Sequence, residues 1–238
     1  MLHFTDKKVF NTGADCIVNT INCVGFMGKG LALEFALRYP RLEEVYKQEC
    51  SKKRIHTGYV YFYNIDGQKI INFPTKFHFK YPSKIEWIEQ GLDDFKSKYK
   101  SWGIQSVAFP VLGTRNGGLN PKVVVQIMTQ KLSDLEIDVY ICKSKLVEGT
   151  EKAMVDSIKC YSADRLAGVF ALTQKQKAVL ADKKDGIVNF SDISDLEGIG
   201  KKTYKALFDY FYGLVSNKGF AGSNEVGEQM NMFDQIQP

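Results

Sequence analysis

Residues 22–30, Asn22-Cys23-Val24-Gly25-Phe26-Met27-Gly28-Lys29-Gly30, run directly into Leu31-Ala32-Leu33-Glu34-Phe35-Ala36-Leu37. Before them, Asp15-Cys16-Ile17-Val18-Asn19-Thr20-Ile21 reads as a short, buried, β-rich run. Glycine-rich turns between a strand and a helix let the backbone come close to a ligand. The first N–H groups of the following helix lack intrahelical partners, so such an end attracts anions, phosphates above all. The helix predicted after Gly30 carries Leu31, Phe35 and Tyr39 at helical spacing and stops before Pro40.

Further along, 58–64 and 69–74 flank Asp66-Gly67, a dipeptide favoured in tight hairpins. An amphipathic helix is expected from about Lys84 to Tyr99, with Ile85, Ile88, Leu92 and Phe95 inward. Ile104 to Pro110 reads as a strand that enters a second glycine-rich loop, Leu112-Gly113-Thr114-Arg115-Asn116-Gly117-Gly118-Leu119. A helix over Pro121–Leu132 and a strand over Ile137–Cys142 follow. Strands alternating with helices predict a three-layer α/β/α domain with a mixed central sheet, whose ligands bind at the carboxyl ends of the strands. Both glycine-rich loops fall at such ends. Two phosphate-friendly turns facing one crevice point to a diphosphate-containing ligand.

With 238 residues, 44% of them hydrophobic and 25% charged, the chain can bury a sizeable core and add a smaller second unit. A net charge of +5 and a pI near 8.8 allow nucleic acid or phosphate partners without requiring them. The five cysteines are widely spaced, and no pair has metal-ligand spacing, so no metal site is expected and the thiols read as reduced. The first residues lack the basic and apolar regions of a signal peptide, and no run is long enough to span a bilayer. A cytoplasmic protein with no membrane partner is expected.

The motifs Ile17 to Ala32, Asn72-Phe73-Pro74-Thr75-Lys76-Phe77-His78, and Pro110-Val111-Leu112-Gly113 with Gly117-Gly118-Leu119 occur in this order. Together they resemble a macrodomain, in the branch containing the DarG antitoxin, which removes ADP-ribose from DNA bases modified by the DarT toxin. The resemblance covers roughly 1–145 and implies the roles of single residues. Asn22 would hold the distal ribose, whose C1″ bond is cut. Cys23, Val24, Gly25, Met27, Gly28, Lys29 and Gly30 would form the first ligand loop. Leu112, Gly113, Thr114, Arg115, Asn116 and Gly117 would wrap the diphosphate, and Lys76 would be the lysine on which hydrolysis depends. His78 is a lesser candidate, as a proton carrier or phosphate contact. No cofactor is implied; ADP-ribose would be ligand and product.

Lys76 also has a job on chemical grounds. A lysine enclosed by Phe73, Pro74, Phe77 and Phe79 would be partly desolvated, which lowers an ammonium pKa toward the range of a base or nucleophile. Attack on C1″, or on the ring-opened aldehyde as a Schiff base, follows from that. The chain departs from the family in two places. The family's adenine-reading Asp falls by spacing on Lys7-Lys8, with Asp6 displaced by two positions, and the second loop carries Thr114-Arg115-Asn116 and Leu119-Asn120-Pro121 with no acidic residue.

A helical region is expected over 146–215, with Met154, Ile158, Leu166, Phe170 and Leu172 as its apolar positions. Within it, 193–207 resemble a helix-hairpin-helix motif, in which Gly198, Gly200, Lys201 and Lys202 would meet a DNA phosphate without choosing a sequence. From 216 to 238 the composition reads as a flexible tail. It contains Gln229-Met230-Asn231-Met232-Phe233, similar to the pentapeptide that binds the bacterial sliding clamp, with Gln229, Met232 and Phe233 as anchors. The expected function is a lysine-dependent DNA ADP-ribosyl glycohydrolase acting on ADP-ribosylated DNA, with a DarT-like toxin and the clamp as expected partners. The alternatives are an ADP-ribose reader without turnover and a DNA- or clamp-associated adaptor.

Overall fold

The computed structural model describes residues 1–144 and 146–216. The clamp-like pentapeptide at 229–233 and nearly all of the expected tail lie outside the described residues. Two compact units are found, Met1–Val147 and a second from Glu148 onward.

The first unit is built on one six-stranded sheet. Its strands are β1 (Leu2–Thr5), β2 (Cys16–Asn22), β3 (Tyr61–Ile65), β4 (Gln68–Lys76), β5 (Ser106–Pro110) and β6 (Asp138–Cys142), in the order β1-β6-β5-β2-β4-β3. Every neighbouring pair is parallel except β3–β4, the hairpin turned by Asp66-Gly67. The mixed sheet anticipated from the sequence is therefore present. Side chains alternate across it. Cys16, Val18, Ile71, Phe73, Val107 and Phe109 face α3 (Ile85–Lys98) and α4 (Pro121–Leu132), where Ile88, Leu92, Phe95, Val124 and Met128 complete one core layer. Ile17, Ile70 and Ala108 face the opposite layer, with Phe35 of α1 (Gly30–Arg38) and Leu42 of α2 (Pro40–Ser51). Asn19 and Asn72, opposite each other in register, put a buried 2.9 Å side-chain hydrogen bond into the middle of the sheet.

Two elements escape a periodicity reading. β1 is four residues long and none of them is fully buried, so its pattern is weak. α2 begins at Pro40, the residue that reads as a stop. Tyr39 leaves helical geometry between the two helices, and proline, with its fixed φ and missing N–H, occupies the first turn of the next one. β4 likewise runs through Pro74 to Lys76. β3 begins at Tyr61, opposite Asn72, so past Asn72 one edge of β4 has no strand partner and tolerates a proline.

The second unit contains α5 (Gly149–Cys160), α6 (Ala163–Phe170), α7 (Gln174–Lys183) and α8 (Lys201–Ser216). Its core includes Met154, Ile158, Leu166, Leu180, Phe190, Ile193, Tyr204, Leu207 and Phe211. No helix among the described residues is long and apolar enough to cross a membrane.

Candidate active site at the strand ends

β2, β4 and β5 lie side by side and parallel, so their carboxyl ends open on the same edge of the sheet. From β2 leaves the loop 23–29, from β4 the segment 77–84, and from β5 the loop 111–120. Ligands of open α/β sheets bind in this position because backbone N–H groups and helix starts converge there. No acidic residue occurs in 16–33, 68–85 or 95–133, which supply these strand ends and loops. The rim therefore favours anions.

The first loop is locked by Asn22, which is buried. Its Oδ1 accepts from the backbone N–H of Val24 at 3.0 Å and of Phe26 at 3.4 Å, and its Nδ2 donates to the Phe26 carbonyl at 2.6 Å. Tyr46 of α2 donates its hydroxyl to the Asn22 carbonyl at 2.8 Å and lies 3.0 Å from Oδ1. Burial holds the Tyr46 phenol above its usual pKa, so it stays a donor. α1 then starts at Gly30 with no side chain capping it and no acidic residue in its first turn. Gly30 has φ near +60°, and a Cβ there would sit 2.8 Å from Asn116 Nδ2 of the other loop. Glycine is needed for the conformation, and a side chain there would also displace the Asn116 amide.

A register shift between Ile21 and Asn22 brings Asn22 opposite Lys76 across the β2–β4 ladder. Lys76 Nζ donates to the carbonyls of Phe79 at 2.9 Å and Asn116 at 2.6 Å, joining its own segment to the second loop. The same segment is pinned to both loops by backbone bonds, Cys23 N–H to the Phe77 carbonyl at 3.1 Å and Ser83 N–H to the Gly117 carbonyl at 2.9 Å. A Cβ on Gly117 would collide with Ser83 Oγ and the Gly113 carbonyl, so this junction admits only glycine. Partial burial lowers the Lys76 pKa below the usual lysine value.

The surroundings of Lys76 differ from the aromatic enclosure expected. Phe73 is fully buried on the α3 face, as strand alternation requires, while Phe77 is 60% and Phe79 39% exposed. Peptide carbonyls, not rings, surround the ammonium.

The other expected residues fall into groups. Cys23, Met27 and Leu112 turn their side chains into the core, leaving only their backbone to a ligand, while Val24 and Phe26 are exposed. Gly25 and Gly113 have positive φ, Gly28 lies against the Phe26 ring, and Lys29 and Arg115 are exposed on the two loops. Thr114 bonds back to the Val111 carbonyl at 2.9 Å. His78 stacks on Phe79 and its Nδ1 accepts from Lys80 N–H at 3.2 Å. The Asn120-Pro121 departure has a local cause, since Asn120 caps α4 and Pro121 occupies its first turn.

Lys8 is turned inward, where it meets Glu34 of α1 at 3.4 Å, and Arg38 binds the other Glu34 oxygen at 2.7 Å. Burial works to raise the Glu34 carboxyl, but Arg38 and Lys8 outweigh it and hold the pKa below the usual range. Tyr46, Phe26, Ser83 and Glu34 are parts of the site or its support that the sequence reading missed. Tyr46 could have been found by reading a helix onward from Pro40. Among the described residues, no group of three or more His, Cys, Asp or Glu is placed to hold a metal.

In the second unit, Gly198 has φ near +81° and α8 starts at Lys201 with Lys201 and Lys202 exposed. The element before the turn is a six-residue 3₁₀ turn, Phe190–Asp195, rather than an α-helix. It is rich in Ser and Asp, whose side chains compete with helical bonding. A second left-handed turn, at Ala171, leads into α7, and Gln176 of α7 donates to the Gly198 carbonyl at 2.9 Å.

Residues 18–128 match the Macro domain family. A DNA ADP-ribosyl glycohydrolase of Mycobacterium tuberculosis is 38% identical over 160 residues, which cover 63% of this chain and 46% of that protein. A DNA ADP-ribosyl transferase–DNA ADP-ribosyl glycohydrolase fusion protein of Thermosipho africanus is 34% identical over 159 residues, covering 59% of this chain and 41% of that protein. The chain thus spans less than half the length of these curated relatives. The solved macrodomain of Mycobacterium tuberculosis DarG aligns with a TM-score of 0.58 at 35% identity, covering 60% of this chain and 97% of that one. Sheet order and paired loops define an α/β domain of mixed sheet with two glycine-rich loops at the strand ends. More particularly, the chain belongs to the macrodomain family, in the branch of the DarG type.

Proposed function

We propose that this chain is a DNA ADP-ribosyl glycohydrolase that depends on Lys76. The observation that carries the reading is that Lys76 pairs with Asn22 in the sheet, at the start of the first loop, while its Nζ reaches the second loop at the Asn116 carbonyl. The N–H groups of both loops and the start of α1 would take the diphosphate, in a rim without carboxylates. Asn22 keeps one Nδ2 hydrogen beyond the one given to Phe26, and would use it on the distal ribose. With its pKa lowered, Lys76 would lose a proton more readily and attack C1″. The bond from C1″ to the base would break, the base leaving with a proton, and water would then release ADP-ribose and restore the amine. Relatives fused to a DNA ADP-ribosyl transferase support the reading that such a transferase, a DarT-like toxin, places the modification. The Gly198–Lys202 turn would hold nearby DNA phosphates.

One observation favours a binder without turnover. Lys76 gives two of its three ammonium protons to carbonyls, an arrangement suited to a retained cation. The two readings separate in a release assay with ADP-ribosylated single-stranded DNA. Turnover predicts ADP-ribose release that rises with pH through a pKa below 10.5, a loss of about 10²-fold or more in kcat for Lys76→Ala, and borohydride trapping at Lys76 if a Schiff base forms. Binding without release by the unaltered protein would leave the binder.

A further inference from the structure

We infer that the segment after Lys76, with Phe26 of the first loop, is a stacking platform for unpaired nucleobases flanking the modified one, made by Phe26, Phe77, Phe79 and Tyr81. This rests on the glycohydrolase reading for the position of the modified base and assigns the side chains that would hold its neighbours in the strand. Apolar residues exposed singly are ordinary, whereas a contiguous exposed patch marks an interaction site, and these rings are 45%, 60%, 39% and 62% exposed. They are gathered rather than scattered. Phe26 lies 4.7 Å from Phe79, His78 stacks on Phe79 at 4.3 Å, and Tyr81 is 5.4 Å from His78.

The platform is also rigid and adjacent to the chemistry. Backbone bonds fix it at Phe77 to the first loop and at Ser83 to the second, and the Phe79 carbonyl holds Lys76 Nζ. A base leaving C1″ at Lys76 would therefore depart beside these rings. Charge complementarity selects the occupant. Lys80 lies over the Phe79 ring, Lys84 follows in the same segment with its ammonium over Trp87 of α3, Arg115 is exposed on the neighbouring loop, and no carboxylate occurs in 68–85. Interleaved rings and cations with no acids match a single-stranded nucleic acid, whose bases stack and whose phosphates pair. A duplex hides its base faces and cannot use the rings.

The test uses a single-stranded oligonucleotide with one ADP-ribosylated base between two 2-aminopurines, its duplex form, and free ADP-ribose. Binding is measured with the Lys76→Ala protein so that the substrate survives, and release is followed with the unaltered protein. The platform predicts changed 2-aminopurine emission on binding, and about tenfold weaker single-strand affinity after Phe77→Ala with Tyr81→Ala. Tyr81→Phe should keep the affinity, free ADP-ribose should bind all versions alike, and the duplex should bind at least about tenfold more weakly than the single strand. Unchanged single-strand affinity in the double variant, an equal loss for free ADP-ribose, or a duplex bound as tightly would each overturn the platform. Absence of release by the unaltered protein would sink the glycohydrolase reading alone, since the emission change is read separately.

Discussion

The two glycine-rich loops look alike in sequence and are held by opposite means. The first is organised from within and behind: Asn22 binds its own turn, and Tyr46 and the Lys8–Glu34–Arg38 group brace the turn and α1. The second is organised from outside, by Lys76 on Asn116 and Ser83 on Gly117, both reaching in from the β4 segment. One loop is a rigid cradle, whereas the shape of the other depends on the residue proposed to react. On the proposed mechanism, binding and chemistry would be coupled through Lys76.

The contrast can be broken in order of expected effect. Glu34→Gln leaves Lys8 and Arg38 buried without their carboxylate and should cost about 3–5 kcal/mol of stability by urea unfolding. The folded carboxyl has a lowered pKa, so folding favours its ionised form. Its contribution is complete above the usual value of 4.5 and declines as pH falls through the lower folded value, which a melting series in acid would read. Asn22→Ala removes the acceptor of two loop N–H groups and should weaken ADP-ribose binding by about 1–3 kcal/mol in calorimetry. A variant that binds normally would show that the first loop holds itself without this side chain. Tyr46→Phe removes only the hydroxyl and should cost about 0.5–1.5 kcal/mol of stability. Arg115→Ala, at an exposed position, should leave the melting temperature alone and reduce affinity for ADP-ribosylated DNA by about 0.2–1 kcal/mol. A larger loss would move the second loop from passive wrap to principal anchor.

Much of this was legible before any coordinates. Alternating apolar runs gave the strands their positions, and Asp66-Gly67 announced the hairpin, because local periodicity and turn chemistry depend on neighbours in the chain. The motifs around Asn22, Lys76 and Gly113 carried the resemblance. A helix onward from Pro40 would place Tyr46 on α2, but its task was not legible, since it depends on α2 folding back beneath a loop more than twenty residues earlier. The setting of Lys76 was misread for a related reason. Sequence adjacency puts Phe73 beside it, while that ring is fully buried in the core layer against α3 and the ammonium reaches loop carbonyls instead.

By itself the sequence determined the α/β alternation, the two glycine-rich turns and the motifs whose resemblance singles out Lys76, all properties of short stretches. Only the tertiary structure decided that Asn22 stands opposite Lys76, that the lysine bridges the second loop through peptide carbonyls, and that Lys8 is consumed by Glu34. These are contacts between residues tens of positions apart. They exist because parallel packing of β2, β4 and β5 carries three separate strand ends to one edge, and no local pattern encodes that meeting.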